Sequence, residues 1–119
     1  MKSNTYEDLV VWQKSCDLSV LIYKLCEHLP KHEQFGLISQ MQRSAVSIAS
    51  NIAEGSKRGS KKDFVHFLNI ANGSSAELQT QIYILKKLKY ADSLDFSEIT
   101  SIQEEINKML HKLILALKV

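Results

Sequence analysis

The segment SIASNIAEGSKRGSKKDF, from Ser47 to Phe64, contains the end of one helical pattern, a short turn and the start of another. Before the turn, apolar residues recur at three- and four-residue steps, and Gly55 is predicted to stop the helix in the left-handed conformation. After the turn, Ser60 is the predicted N-cap of the next helix, with Asp63 at the third helical position in a variant of the capping box. The segment therefore predicts two adjacent helices joined by a tight turn rich in lysine and arginine.

Apolar periodicity extends outward from this segment and predicts four long helices, with no competing strand pattern. The fourth begins in the sequence DFSE, where Asp95 and Glu98 occupy capping-box positions. The predicted helices are about Asp8 to Leu29, about Phe35 to Glu54, Ser60 to about Lys89, and Asp95 to the C-terminus.

The predicted core follows the same periodicity. In the first helix, the main stripe is Leu9, Trp12, Cys16, Val20 and Tyr23, and it is widened by Leu18, Ile22, Leu25 and Leu29. The second helix contributes Ile38, Met41, Ala45, Ile48 and Ile52. The third contributes Phe64, Phe67, Ala71, Leu78, Ile82 and Leu85, and the fourth contributes Ile99, Ile102, Ile106, Met109, Leu113 and Leu117.

Length and composition favour a single compact domain covering residues 1–119. With 45% hydrophobic residues, one proline and four glycines, the chain has few turn-forming residues, as expected of few, long elements. The predicted connections near residues 30–34, 55–60 and 90–95 are short, and short links between long helices favour antiparallel neighbours. The predicted fold is therefore all-α, an antiparallel up-down-up-down four-helix bundle.

The second and third predicted helices contain unusually few charged residues. From Gly36 to Ala53 the only charged residue is Arg43, and from Phe64 to Leu85 the only formal charge is on Glu77. The outer face of a helix in a monomer is normally charged, whereas the centres of protein interfaces are depleted of charge. A solvated surface built from serine and glutamine is one interpretation. We favour a homo-oligomer in which these two helices contact neighbouring subunits.

A polar stripe on the second helix supplies the candidate contact residues. At about 100° per residue, it lies opposite the predicted core stripe. Its candidate interface or register positions are Arg43, Ser47, Asn51 and Glu54.

The third helix carries the matching acidic candidate, Glu77. An antiparallel hairpin centred near Arg58 would place Arg43 level with about Gly73, within a turn of Glu77. These two lone charges could therefore pair, and a buried or interfacial bridge between Arg43 and Glu77 would fix register more than it adds stability. Gly73 weakens a helix by about 1 kcal/mol relative to alanine. The close approach of another backbone, or a kink, would explain its presence.

Four cations surround the predicted turn: Lys57, Arg58, Lys61 and Lys62. Their order does not match the Gly-x-x-x-x-Gly-Lys-Ser/Thr pattern of a nucleotide-binding loop, and no predicted strand precedes them. A helix N-terminus beside four cations nevertheless attracts anions such as nucleic-acid phosphates. One copy would bind with modest, salt-sensitive affinity, and several linked copies would gain through avidity. An ordinary solvated loop is the alternative interpretation.

No constellation for catalysis, metal binding or a cofactor is found in the sequence. His28 and His32 are spaced like helical metal ligands, but Pro30 interrupts the helix that would align them. Cys16 and Cys26 lie roughly 15 Å apart along one predicted helix, too far for a disulfide. We therefore expect a protein that is not an enzyme and that uses neither a metal nor another cofactor.

The N-terminal sequence MKSNTYEDLVVW lacks the apolar core of a signal peptide. No apolar run reaches the roughly 18 residues that a membrane-spanning helix requires. We therefore expect a cytoplasmic protein with no membrane partner. The net charge of +2 is too small to identify any other partner by itself.

The motifs VWQK, FGL, QMQRSAVSI, NIAEG and KDF occur in this order along the chain. Together they make the region from Tyr6 to about Tyr90 resemble the 23S rRNA intervening sequence proteins, a bacterial family also labelled S23 ribosomal protein. Ala49 and Lys89 depart from the family pattern, which often has proline and glycine at these two places. The matching signature positions are Arg43, Ser47, Asn51, Glu54, Gly55, Arg58, Phe64 and Glu77.

This resemblance implies a four-helix bundle that assembles as a homopentamer, and it implies no catalytic residues. A more distant likeness to the accessory variability proteins of diversity-generating retroelements implies binding to nucleic acid and to a reverse transcriptase. The leading hypothesis is thus a homo-oligomer that binds RNA or DNA weakly or serves as an adaptor for a nucleic-acid enzyme. A structural or protein-binding scaffold with no nucleic-acid role is the alternative.

Overall fold

The computed structural model describes residues 5–119, which form four long α-helices and three short 3-10 segments. No strand occurs within this range, so the prediction of an all-α protein with four helices is confirmed. The helices are α1 (Val10–Cys26), α2 (Leu37–Lys57), α3 (Lys61–Lys86) and α4 (Ser97–Lys118). The 3-10 segments are Tyr6–Asp8, Lys31–Glu33 and Lys89–Ala91.

Each helix packs against two others. Helix α2 contacts α1 and α3, helix α4 contacts the same two, and the contact between α2 and α3 is the most extensive. The described residues span 47 × 28 × 24 Å. The side chains that are fully or almost fully buried come from all four helices, and the largest are Leu18, Ile22, Met41, Ile48, Ile52, Leu68, Leu78, Leu85, Ile106 and Leu110.

The buried side of α1 differs from the predicted main stripe. Val20 and Tyr23 were expected in the core, yet they are 53% and 48% exposed. Leu18 and Ile22, predicted only to widen the stripe, are fully buried instead. Helix α1 is apolar around much of its circumference, so periodicity alone could not show which side faces α2 and α4. That choice depends on the positions of its neighbours.

The core of α4 is also broader than the predicted seam. Leu110 and Ile114 are buried although they lie outside the seam, while Met109 and Leu113 are only partly buried. Because α4 packs against two helices, it buries a wide face instead of a narrow coiled-coil line. The predicted positions in α2 agree better, since Met41 and the three core residues after it are fully buried or nearly so.

Several helix ends lie a few residues from their predicted positions. Helix α1 ends at Cys26 instead of Leu29, because the chain tightens into 3-10-type bonds ahead of Pro30. Helix α3 ends at Lys86 instead of Lys89. The predicted capping box of α4 is wrong. The α4 N-cap makes no side-chain cap hydrogen bond, although the Asp95 carboxylate accepts one from the backbone amide of Ser97 at 2.9 Å.

Both cysteines are free thiols, as predicted from their spacing. Cys26 is buried, and this burial raises the pKa of its thiol to about 11. Cys16 is partly buried. Because the thiolate is the reactive form, both side chains behave as small apolar packing groups. Among residues 5–119, no helix is long and apolar enough to cross a membrane.

Candidate nucleic-acid interface and assembly face

Four cations flank the connection between α2 and α3 and form what we call the basic turn: Lys57, Arg58, Lys61 and Lys62. Helix α2 continues to Lys57, and Gly59 reverses the chain with a φ of +88°, a conformation that favours glycine. Ser60 is the N-cap of α3, and its hydroxyl accepts a hydrogen bond from the Asp63 amide at 3.1 Å. The predicted cap and the predicted tight turn are both confirmed.

Gly55 does not stop α2, so this prediction is wrong. The residue is buried within the helix, and Gly59 is the glycine with positive φ among the described residues. A Cβ atom on Gly55 would lie 2.7 Å from Phe67 Cβ and 3.1 Å from Phe64 Cδ1. Gly55 is therefore required by the close packing of α2 against the first turns of α3.

Arg58 is held against the protein surface. Its guanidinium forms an ion pair with Glu54 at 2.9 Å and lies 4.8 Å from the centre of the Phe67 ring. Each of these contacts contributes up to about 1 kcal/mol at an exposed site. Together they limit the availability of Arg58 for an external anion.

The three lysines of the basic turn are more available than Arg58. Lys57, Lys61 and Lys62 are exposed, and none has an acidic partner within residues 5–119. The first amides of α3 and the positive end of its dipole lie beside them. Asp63 in the first turn of α3 offsets part of this potential. The result is a small cationic tip suited to weak binding of phosphate groups.

Of the predicted contact residues of α2, Ser47 contacts α3 of the same chain, and Asn51 bonds back to Ser47 within α2. The Ser47 and Ser74 hydroxyl oxygens are 2.9 Å apart, and both side chains are at least partly buried. The Asn51 amide donates to the Ser47 carbonyl oxygen at 2.8 Å and to its hydroxyl at 2.9 Å. These small polar groups let the two helices approach closely. Their predicted role between subunits stays a prediction.

Arg43 and Glu77 lie on the two sides of a groove between α2 and α3. The groove has a volume of about 480 Å³, and Ser44, Ser47 and Gln81 are among its other lining residues. The contact of Ser47 with Ser74 brings Arg43 level with Glu77 instead of with Gly73, so the predicted register is off by about one turn.

The predicted ion pair between Arg43 and Glu77 is not formed within the described chain. Both side chains are exposed and point into the open groove. At an exposed site, the gain from such a pair is small compared with the entropy lost by two long side chains. The two charges therefore remain available to a binding partner.

A buried polar cluster between α3 and α4 was not predicted. The Gln103 amide donates to the Ser75 carbonyl oxygen at 2.9 Å and to its hydroxyl at 3.0 Å, while the Ser75 hydroxyl donates to Asn107 at 2.6 Å. Ser75 and Gln103 are 1% and 3% exposed. Nothing in the local sequence marks these residues, because each finds its partner about thirty positions away. The cluster fixes the register of α3 against α4.

A second unpredicted contact joins two connections of the chain. The Tyr90 hydroxyl donates to Glu33 Oε2 at 2.6 Å, and Glu33 Oε1 accepts from the Leu37 amide at 3.2 Å, at the start of α2. The hydrogen bonds from Tyr90 and Leu37 lower the pKa of the Glu33 carboxyl. Burial, together with the Glu33 hydrogen bond and charge, raises the pKa of Tyr90 to about 12. The connections on either side of the α2–α3 hairpin therefore meet.

These observations define the chain as a small all-α protein with four packed helices, an α2–α3 face that carries few charges, and a basic turn at one end of that face. Comparison with family models matches residues 7–112 to the 23S rRNA-intervening sequence protein family. The chain therefore belongs to this family, and the resemblance noted in its motifs is confirmed.

A solved structure supports the same assignment. It is a crystal structure of a protein of unknown function from the S23 ribosomal protein family of Bacteroides thetaiotaomicron. The two chains are 32% identical and superimpose with a TM-score of 0.79, covering 88% of this chain and 98% of the other. Comparison with curated proteins finds no match. The likeness to retroelement accessory variability proteins stays a prediction.

Proposed function

We propose that the chain forms a non-enzymatic homo-oligomer whose basic turns bind RNA or DNA weakly. The observation that carries the nucleic-acid part is the group of three exposed lysines, Lys57, Lys61 and Lys62, beside the N-terminus of α3. Backbone phosphates are the anions that such a tip would attract without regard to sequence. If the protein serves as an adaptor for a nucleic-acid enzyme, it would do so in the cytoplasm as the same oligomer bound to nucleic acid.

The paired positions of the helices support an antiparallel up-down-up-down arrangement. Ser47 contacts Ser74, whereas Gly55, later in α2, packs against the earlier residue Phe67. Lys14 near the start of α1 pairs with Glu105 of α4 at 3.1 Å, whereas Lys24, later in α1, lines a groove with the earlier α4 residue Glu98. The first and third connections meet at Glu33 and Tyr90, which fits the same arrangement.

Assembly is supported by the composition of the face formed by α2 and α3. Few charges interrupt this face, and Arg43 and Glu77 in its groove have no ion-pair partner among residues 5–119. The family resemblance implies five subunits. A pentamer would present five basic turns, so contacts that are weak in one copy would add through avidity.

The test is RNA binding measured by fluorescence anisotropy at low and high salt. The K57E/K61E/K62E variant reverses the charges of the three lysines and leaves Arg58 with its contacts to Glu54 and Phe67. We expect at least tenfold weaker binding and a smaller salt dependence, because fewer counterions are released. The matched control is K108E/K112E/K118E, which makes the same charge change on α4 and should have a much smaller effect.

Equal losses in the two variants would show that only net charge matters and would contradict a site at the basic turn. If the wild-type protein shows no salt-sensitive binding to RNA, the better-supported function is the alternative, a structural or protein-binding scaffold that does not bind nucleic acid. The mild net charge of +2 is compatible with that second function.

A further inference from the structure

The groove between α2 and α3 contains one cation and one anion that face each other without pairing. Arg43 and Glu77 line it together, both are exposed, and neither has an ion-pair or hydrogen-bond partner within residues 5–119. Elsewhere on α2 and α3, Arg58 and Glu54 do form a pair. Arg43 and Glu77 are thus opposite charges that share one groove without satisfying each other.

One acceptor in the same groove also lacks a hydrogen bond. The Gln81 side-chain oxygen is shielded from water and has no donor within the described chain. An unsatisfied buried polar atom destabilises the protein, and a hydrogen-bond donor that enters the groove would offset this cost. A guanidinium carries five N–H donors, enough to reach a carboxylate and a neighbouring amide together.

The α3 side of the groove is shallow and built from small residues. Gly73, Ala76 and Thr80 lie beside Glu77, with the exposed Ile84 at the end of the row. A Cβ atom on Gly73 would meet nothing within 4 Å, so packing inside the chain does not require glycine there. A helix from another molecule could approach closely along this row.

We propose that the groove is completed by a second copy of this chain, with Arg43 of one copy paired to Glu77 of the other. This inference rests on the proposed homo-oligomer. The charges of the groove are self-complementary, because each copy supplies the cation and the anion that the other lacks. In a two-fold contact both pairs form at once, and in a ring each contact uses one pair.

The experiment compares R43E, E77R, the R43E/E77R double variant and an equimolar mixture of the two single variants by sedimentation velocity. Each single variant opposes like charges, so we expect association at least about tenfold weaker than wild type. The double variant and the mixture should both regain association. K108E, an exposed charge reversal on α4, should associate like wild type.

The mixture is the decisive sample, since an ion pair inside one chain cannot be restored by adding a different chain. In a five-membered ring of alternating variants one contact stays mismatched, so the mixture should recover most of the association. Circular dichroism checks that the variants are folded. R43Q and E77Q, which weaken association without like-charge repulsion, replace any reversal that unfolds.

Different failures have different meanings. A wild-type protein that stays monomeric overturns the proposed homo-oligomer itself. A wild-type oligomer that is unaffected by either reversal leaves the oligomer standing and overturns the Arg43–Glu77 contact. Rescue by the double variant without rescue by the mixture assigns the pair to a single chain and also overturns it. Binding of another protein in place of a second copy would appear as a wild-type monomer.

Discussion

Gly55 and Gly73 lie in adjacent helices but meet opposite environments. The space beside Gly55 is filled by Phe64 and Phe67, whereas the space beside Gly73 is open within the chain. Neither residue has a positive φ. Glycine at position 55 is therefore explained by packing between α2 and α3, and glycine at position 73 is not explained by the isolated chain.

Replacement by alanine should separate the two glycines. We expect G55A to destabilise the fold by about 1–3 kcal/mol, because its Cβ would overlap Phe67 and force the helices apart. G73A, the matched control, should be neutral or up to about 1 kcal/mol more stable through helix propensity. Urea unfolding at low protein concentration measures both changes. A G55A variant as stable as wild type would contradict the packing explanation.

Individual residues show which structural features could be predicted from the sequence alone. Ser60 was predictable as an N-cap because its hydrogen-bond partner, Asp63, is only three residues away. The role of Gly55 was not, because the clash that requires glycine comes from Phe67 on the next helix. The Arg43–Glu77 ion pair was predicted but is not formed within the chain, because the sequence could place the two charges near each other but could not show the open groove between them.

At the scale of elements, apolar periodicity predicted the number and approximate positions of the helices, but it did not predict which side of α1 is buried. Contacts between distant connections were equally hidden. Glu33 and Tyr90 lie 57 positions apart and join the 3-10 segment before α2 to the one after α3. Glu33 also caps the first turn of α2 through Leu37. One carboxylate therefore stabilises a helix start and the approach of two connections.

Loss of the Tyr90 hydroxyl should destabilise the protein in a pH-dependent way. We expect Y90F to lose about 1.5–3 kcal/mol near neutral pH, the range for a hydrogen bond to a charged group. Because Glu33 has a lowered pKa, its contribution is present above its unfolded-state pKa and is lost as pH falls through the folded-state pKa. The difference between Y90F and wild type should therefore shrink in acid.

At alkaline pH, the ionisation of Tyr90 determines how the free energy of unfolding changes. Its pKa is raised to about 12, so its contribution is full below the ordinary tyrosine pKa and is lost as pH rises through about 12. Thermal unfolding of Y90F and wild type, measured from acid to alkaline pH, tests both the Glu33 effect and the Tyr90 effect. Y23F is the matched control, since Tyr23 is 48% exposed, and it should follow the wild-type curve. A pH-independent difference for Y90F would contradict the charge-assisted contact.

At the scale of the whole molecule, charge is distributed unevenly over the four helices. The α2–α3 face carries a groove with two unpaired charges, while the basic turn places three exposed lysines at one tip. In the proposed assembly, subunit contacts would cover the α2–α3 face, and the basic turns would be repeated around the particle. In the proposed function, one surface of the chain would serve assembly and the other would bind anions.

The mass of the particle in solution tests this account most directly. Sedimentation equilibrium at micromolar protein concentration, at moderate and high salt, should give an assembly of several 13.5 kDa chains, with five copies expected from the family resemblance. Higher salt should weaken the assembly, because the Arg43–Glu77 contacts are electrostatic. A single species of 13.5 kDa under all these conditions would contradict the account.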